Sequence, residues 1–483
     1  MNHTFRSLSS LALILTIAGC KVGPNYKRPT VNTPASYRGA LAPDIAPATS
    51  ATPLGAQKWN TVFTDPVLQQ LIAEALKNNY DVKIAADRVL EQQAQVGITK
   101  AAQYPTLTGG ATYDALGLPS SLFSSLNNNS SNSKSTGQNN YYAGALTASV
   151  AWNLDFWGYY RRQTEAARAN LRATEWAKQT TYSTLIENVA TSYYQIRTLD
   201  AELAITRSTL DARKQSLDLT RKLEQGGADS LADVRQAEEL YYAAQAQIPD
   251  LERQIEQQEN NLRLLLGADP GPIVRNIDDS PSILASAPHP ADIPVGLPSD
   301  LLERRPDVRR AEELLIQANA NIGVARAQYF PQLALTGTGG TTGSQLKGLV
   351  NPVNVYYYAA GNLTQPIFDA GKIRANYRLA EDTDKELLDT YQQTIAGALR
   401  DVSNALIAYN KTREFREQQE KQTAASADAV RLARIRYSSG STSYLEVLTT
   451  DTNLYSSQLT LEAAQQAEAL SLVQLYNALG GGW

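Results

Sequence analysis

Two histidines and one cysteine are all that 483 residues offer for most metal and nucleophile chemistry. His3 and Cys20 lie at the extreme N-terminus and His289 stands alone in a proline-rich stretch. No His/Cys metal set and no Ser-His-Asp triad can be assembled from them, and no P-loop spacing occurs. The glycines from Gly337 to Gly343 lack the following helix that a dinucleotide fingerprint requires. The polar residues with a pattern sit instead at two glycine-containing turns. Gly226 to Tyr241 reads GGADSLADVRQAEELY and Gly440 to Tyr455 reads GSTSYLEVLTTDTNLY, two versions of one segment 214 residues apart. Asp233 follows Ser230 by three and Glu446 follows Ser443 by three, the spacing of a capping box that starts a helix. Tyr437 stands three before Gly440. Glycine at such points permits left-handed backbone where one helix stops and the next begins.

Those turns need long elements to carry them, and the chain's start says where they reside. Residues 1–19 hold Arg6, an apolar run from Leu8 to Ala18, and Gly19, the layout of a secretory signal. Ile17-Ala18-Gly19-Cys20 resembles the bacterial lipobox, which makes Cys20 a lipidated mature N-terminus. Lys21, by the same resemblance, implies sorting to the outer membrane. No other apolar run approaches the ~18 residues of a transmembrane helix. The formal net charge of −4 excludes a basic nucleic-acid footprint. Tyrosine, with 25 residues against 7 phenylalanines and 5 tryptophans, is over-used, as suits half-wet surfaces.

The expected organisation is a tether over 20–62, a first repeat over 63–267, a Pro-rich connector over 268–306 and a second repeat over 307–483. Strands are expected near 105–115 and 145–155 around a Ser/Asn-rich loop, and near 331–340 and 355–368 around a Gly/Thr/Ser loop, with tips near 226 and 440. Leu146, Ala148, Val150, Trp152 and Leu154 alternate with Thr147, Ser149, Ala151, Asn153 and Asp155, which is strand period. Tyr141, Tyr142 and Tyr356–Tyr358 cluster beside these strands, as in aromatic belts of membrane barrels. Leu388, Tyr391, Ile395, Ala398, Val402, Ala405 and Tyr409 follow three-four spacing, and Tyr182, Leu185, Val189, Ser192 and Ile196 hold the same phase, so a helix of about 100 Å follows each strand pair. Four strands of bilayer length cannot close, and open edges in lipid cost several kcal/mol per unpaired group, so a barrel must be shared between chains.

Trp59, Phe63, Asp65-Pro66, Leu71-Ile72 and Ala75-Leu76 open a series of motifs that runs in order along nearly the whole mature chain. It continues with Trp152-Asn153-Leu154-Asp155, Trp157-Gly158, the stretch Leu297 to Asp307, Gln365-Pro366-Ile367-Phe368 and the ending Ala478 to Trp483. The series resembles TolC/NodT-type outer-membrane efflux lipoproteins, the OprM-like outer membrane factors of tripartite RND-type (resistance-nodulation-division) systems. The resemblance implies an α+β membrane protein: a homotrimer with a 12-stranded β-barrel, a long α-helical barrel and a mixed equatorial collar. It implies a passive exit duct for drugs, solvents or metals, no enzyme activity, and no cofactor beyond the covalent lipid on Cys20. The implied partners are a periplasmic adaptor, an inner-membrane RND-type pump and outer-membrane lipid. Gly226, Gly227, Gly440 and Ser441 match the tips where adaptors dock. Tyr437 matches a gate tyrosine that bonds toward Asp233. Glu446 matches the first acidic ring that narrows the lumen, and Thr449 stands where the second ring would be, with Thr442 in place of a bridging arginine. In the 214-residue correspondence the first copy carries Leu223 and Ala232 where the second carries Tyr437 and Glu446. A type I protein-secretion duct and a pore-free periplasmic coiled-coil scaffold are the alternatives.

Overall fold

A computed structural model describes residues 21–39, 52–119, 138–275 and 293–483. The expected signal segment, the expected lipidation residue Cys20, His289 and most of the Ser/Asn-rich loop lie outside the described residues. Seven helices of 13 residues or more occur among those described: α1 (Pro66–Asn78), α2 (Tyr80–Ala101), α3 (Tyr159–Gln225), α4 (Leu231–Leu265), α5 (Pro306–Ala327), α6 (Lys372–Ser438) and α7 (Tyr444–Ala478). Beside these and a few shorter helical turns are four strands: β1 (Thr106–Pro119), β2 (Gln138–Leu154), β3 (Gln332–Gly343) and β4 (Val355–Thr364). The chain divides into two compact units, one holding the sheet and one holding most of the helical length.

In the sheet unit the strands run in the order β1-β2-β3-β4, every pair antiparallel. Register fixes the faces, because partners in an antiparallel pair share a side. Leu107 pairs with Val150 and Val150 with Gly337, while Leu146 pairs with Thr341 and Thr341 with Val355. One face therefore collects Leu107, Tyr113, Leu146, Val150, Trp152, Leu335, Val355, Tyr357 and Leu363, all of them exposed. The other collects Thr108, Ser149 and Thr338, and the last two hydroxyls bond at 3.0 Å. β1, β3 and β4 start at Thr106, Gln332 and Val355, whereas β2 starts at Gln138, ahead of the expected 145, so β1 and β2 run further toward the Ser/Asn loop than their alternation does. Asn139 and Asn140 still pair with Leu118 and Gly117, since backbone ladders do not require apolar side chains. β4 stops at Thr364, two residues before Pro366, which has no N–H to give.

Around the start of α3 this unit also holds a buried arginine. Arg162, with no exposed surface, donates to the carbonyls of Val22 (3.1 Å) and Gly23 (3.2 Å) and to Asn25 Oδ1 (3.0 Å). Glu165 supplies the counter-charge at 3.0 Å, and Lys21 also pairs with Glu165. Gly23 and Gly323 are glycines for packing reasons: a Cβ on the first would come within 2.5 Å of the second's Cα, and one on the second would lie 2.7 Å from Arg162 Nε.

The helical unit has its main core among α1, α3, α6 and α7. Much of the three-four seam lands inside it, with Leu185, Val189, Ile196, Val402, Ala405 and Tyr409 among its residues, and Tyr391, Ile395 and Ala398 of the same seam are buried as well. Helix α1 starts on Asp65, whose Oδ1 accepts the Val67 and Leu68 amides while Oδ2 accepts the Tyr193 hydroxyl at 2.6 Å. The first residues after α4 are held by Arg275, which bonds Asp200 at 2.7 and 2.8 Å and also Glu259.

Helices α3 and α6 are each 67 residues long, and α4 and α7 each 35. Gln225 and Ser438 end the long pair, and Leu231 and Tyr444 start the short pair, both 213 positions apart. This corrects the 214-residue correspondence read from the letters. Gly227, with φ of 77°, matches Gly440, with φ of 71°, whereas Gly226 is not left-handed and its amide still bonds Lys222 O in a helical turn. Glu224 thus stands opposite Tyr437 in the comparison of copies, and Asp233 opposite Glu446, in place of Leu223 and Ala232.

Candidate functional site

The two turns and the helix ends beside them share a small core of Leu217, Val234, Ala237, Ala433, Tyr437, Tyr444 and Val447. Each turn closes through the same backbone bonds: Ala228 N–H to Leu223 O at 2.8 Å, and Ser441 N–H to Arg436 O at 2.8 Å. Gly226, Gly227, Gly440 and Ser441 are all exposed. A Cβ on Gly227 or Gly440 would meet nothing within 4 Å, so conformation rather than crowding demands glycine there.

Tyr437 is buried in this core, its ring 5.6 Å from that of Tyr444. Its hydroxyl donates to Asp229 Oδ2 and lies 3.3 Å from the Thr220 hydroxyl. The expected partner, Asp233, is engaged elsewhere: its Oδ2 accepts from Ser230 N–H (3.1 Å) and Ser230 Oγ (2.6 Å) while its own amide bonds Ser230 Oγ. Asp233 is a helix cap, and the acid that reaches across to Tyr437 lies in the turn before α4. Burial first, and the Asp229 contact second, hold the Tyr437 phenol well above the ordinary tyrosine range, so it stays a neutral donor.

Glu446 accepts from Arg436 at 2.7 Å and from the Thr442 hydroxyl. Within one chain its charge is therefore balanced. Thr449 is exposed and returns its hydroxyl to Leu445 O at 2.8 Å.

Sequence reasoning passed over an ion cluster beneath this core. Asp451 accepts from Arg213 at 2.9 Å and from Arg434 at 2.9 Å, and Arg213 also donates to Leu240 O at 3.1 Å. Arg213 and Asp451 are both buried, and the Arg213 guanidinium sits 5.2 Å from the Tyr455 ring centre. The cluster ties α3 to α6, α7 and the backbone of α4. Its signal was present: Arg213 falls in the three-four row of Thr206, Thr209, Leu217 and Thr220, and Asp451 in that of Tyr444 and Val447. Two opposite charges in two buried seams are placed to meet. Chemically the arrangement offers hydrogen bonds and ion pairs between the turns and the helices beside them; among the described residues no group of three or more His, Cys, Asp or Glu is placed to bind a metal.

A sheet whose exposed face is apolar, with no membrane-length apolar helix among the described residues, together with paired helical hairpins, is the signature of an outer-membrane channel subunit. The chain belongs to the outer membrane efflux protein family, whose model matches residues 71–268 and 297–481. The solvent efflux pump outer membrane protein SrpC of Pseudomonas putida is 37% identical over 99% of this chain and 98% of its own length. The cation efflux system protein CusC of Escherichia coli K12 is 31% identical over 98% of this chain and 99% of its own. Among solved structures, the open state of the Neisseria gonorrhoeae MtrE outer membrane channel superposes with a TM-score of 0.83 at 29% identity, covering 96% of this chain and 98% of that one. The protein is an outer-membrane efflux channel component, a transport duct and not an enzyme.

Proposed function

We propose that three copies of the chain form one barrel and one duct, which conducts small molecules handed over by a periplasmic adaptor and an inner-membrane RND-type pump. The observation that carries this reading is the four-stranded sheet, with one apolar exposed face and no strand beside the outer edges of β1 and β4 among the described residues. In lipid those edges need partners, and β1 of one copy against β4 of the next satisfies both; three copies give twelve strands. The matched lengths of α3 with α6 and of α4 with α7 support an internally duplicated tube. The turns around Gly227 and Gly440 are proposed as the adaptor-docking tips, and the bond from Tyr437 to Asp229 as the intrachain lock of the closed end. Glu446 lines that end as a single acidic ring, partly neutralised by Arg436. Cys20 carries the lipid anchor, and the reading needs no other cofactor. Drugs, solvents or metal ions are the cargo classes, in keeping with relatives named for solvent and cation efflux. Purified protein should insert into planar bilayers as a chemically cross-linkable trimer with discrete conductance. Protein that inserts but never conducts, even with Tyr437 replaced, would overturn the duct.

A further inference from the structure

Away from the turns, the helical unit contains a cavity of about 500 Å³ among α3, the start of α5, α6 and the end of α7. That volume lies within the ~300–1,000 Å³ range of small-molecule sites. Its walls are built for hydrogen bonding, with Ser183, Glu187, Arg305, Asp401, Asn404 and Gln474 among them. The Ser183 hydroxyl is buried without a protein partner. Arg305 is already claimed by Asp307, at 2.9 and 2.6 Å, and stands 3.5 Å from Asp401. Glu187, Asp307 and Asp401 line the cavity against Arg305, and Arg400 also pairs with Asp401 at 2.7 Å. Three carboxylates against two guanidinium groups still leave one negative charge in excess, which disfavours anions and favours a neutral or cationic guest. Burial pushes the Glu187 carboxyl up, and only the Asn477 amide opposes the shift; an incoming ammonium would give that carboxylate the counter-ion it lacks.

The C-terminal tail runs past Ser183, at the edge of this cavity. Gly482 lies so close to Ser183 that a Cβ on it would stand 3.3 Å from the serine Cα, and a Cβ on Gly480 would be 3.1 Å from Arg304. Beyond them Trp483 packs edge-on against Trp176 at 5.4 Å, and the Arg309 guanidinium backs Trp176 at 5.4 Å. Trp176 sits one helical turn before Thr180, which lines the cavity. Trp483 remains 49% exposed. An indole held in place by a second indole, beside carboxamides, hydroxyls and carboxylates, combines an apolar platform for the C–H face of a sugar ring with partners for its hydroxyls.

We propose that this cavity binds an amine-bearing saccharide, an amino sugar or a short amino-sugar oligomer, with Trp483 as its stacking platform and Glu187, Asp401, Asn404 and Ser183 as its polar partners. The site is separate from the turns and does not depend on the duct reading.

Calorimetric titration of the purified full-length protein with the β-1,4-linked glucosamine trimer tests it, with the N-acetylglucosamine trimer and a galacturonic acid trimer as neutral and anionic counterparts. The expected result is saturable binding of the glucosamine trimer, about tenfold weaker binding of the acetylated trimer, and none of the anionic one. Trp483→Ala and Asn404→Ala should each weaken binding about tenfold without moving the melting temperature. Glu187→Gln should abolish the preference for the amine and leave the glucosamine and N-acetylglucosamine trimers with equal affinities. No saturable heat with the glucosamine trimer, as when a neighbouring copy fills the cavity, overturns the proposal. So does equal binding of the anionic trimer, or unchanged affinity in the Trp483 and Asn404 variants.

Discussion

Tyr437→Phe removes one oxygen from the helix turns and leaves the ring in place against Tyr444. The deleted hydroxyl is buried and donates to a carboxylate, Asp229, with Thr220 nearby at 3.3 Å. A hydrogen bond to a charged group contributes about 1.5–3 kcal/mol net. Asp229 is only half-buried and gains water when the phenol goes, so the low end applies. About 1.5 kcal/mol shifts the closed-to-open equilibrium of each chain roughly tenfold, and three chains opening together compound this to roughly a thousandfold. Single-channel recording in planar bilayers reads this as open probability, with Tyr182→Phe, in the other core, as the control. Asp229→Asn should open the channel as Tyr437→Phe does, because it weakens the same bond from the other end. Asp233→Asn should instead cost α4 about 1 kcal/mol of capping and change open probability little. If Tyr437→Phe matches Tyr182→Phe, or if Asp233→Asn opens the channel more than Asp229→Asn, the assignment of the lock to Asp229 is wrong.

Three further perturbations have defined directions. Glu462 is buried with Oε2 unpartnered, and burial, then Glu202, raises its pKa to about 7. A raised carboxyl stabilises the fold fully below its unfolded pKa and loses that contribution as pH climbs through 7, so the melting temperature should fall between pH 5 and pH 8. Glu462→Gln should flatten that fall by up to about 3 kcal/mol, and a fall that persists in the variant assigns it elsewhere. Asp451→Ala strands the buried Arg213 and should cost about 3–5 kcal/mol in thermal or denaturant unfolding, whereas a loss under 1 kcal/mol would show that water replaces the carboxylate freely. Arg162→Met should release residues 22–25 and hasten tryptic cleavage at exposed Lys27 while leaving open probability unchanged; unaltered cleavage would mean that other contacts hold the segment.

The sheet was legible because strand period alone fixes which side chains share a face. Leu146, Val150 and Trp152 alternate with Thr147, Ser149 and Asn153 in the letters, and register then extended that face across all four strands. The long helices were legible for the analogous reason: Ile395, Ala398, Val402 and Tyr409 repeat at three-four spacing and are buried. Partner choice at the turns was not legible. Asp229 and Asp233 are four residues apart, and which one reaches Tyr437 depends on whether Ser230 turns its hydroxyl toward Asp233. That is a competition among hydrogen bonds, and spacing is blind to it. The Arg213–Asp451 pair was missed for a different reason, since a seam search counts apolar positions and passes over charges that replace them in opposite-sign pairs.

The one-residue slip in the repeat has a functional consequence. Matching Gly226 to Gly440 sets Glu446 against Ala232, as though the second copy had gained an acid that the first lacks. Matching the left-handed residues, Gly227 and Gly440, sets Glu446 against Asp233, so both copies keep an acid at the third position of the returning helix. What differs is what each acid does. Asp233 turns back on Ser230 and completes a capping box. Glu446 is drawn to Arg436 and Thr442, and Ser443 is left without a side-chain cap bond. Arg436 stands where the first copy has Leu223, and Tyr437 where it has Glu224. The asymmetry between the copies therefore arises at the end of the long helix, not at the start of the short one. A cation and a phenol there convert a capping acid and a turn acid into the two contacts that cross between elements.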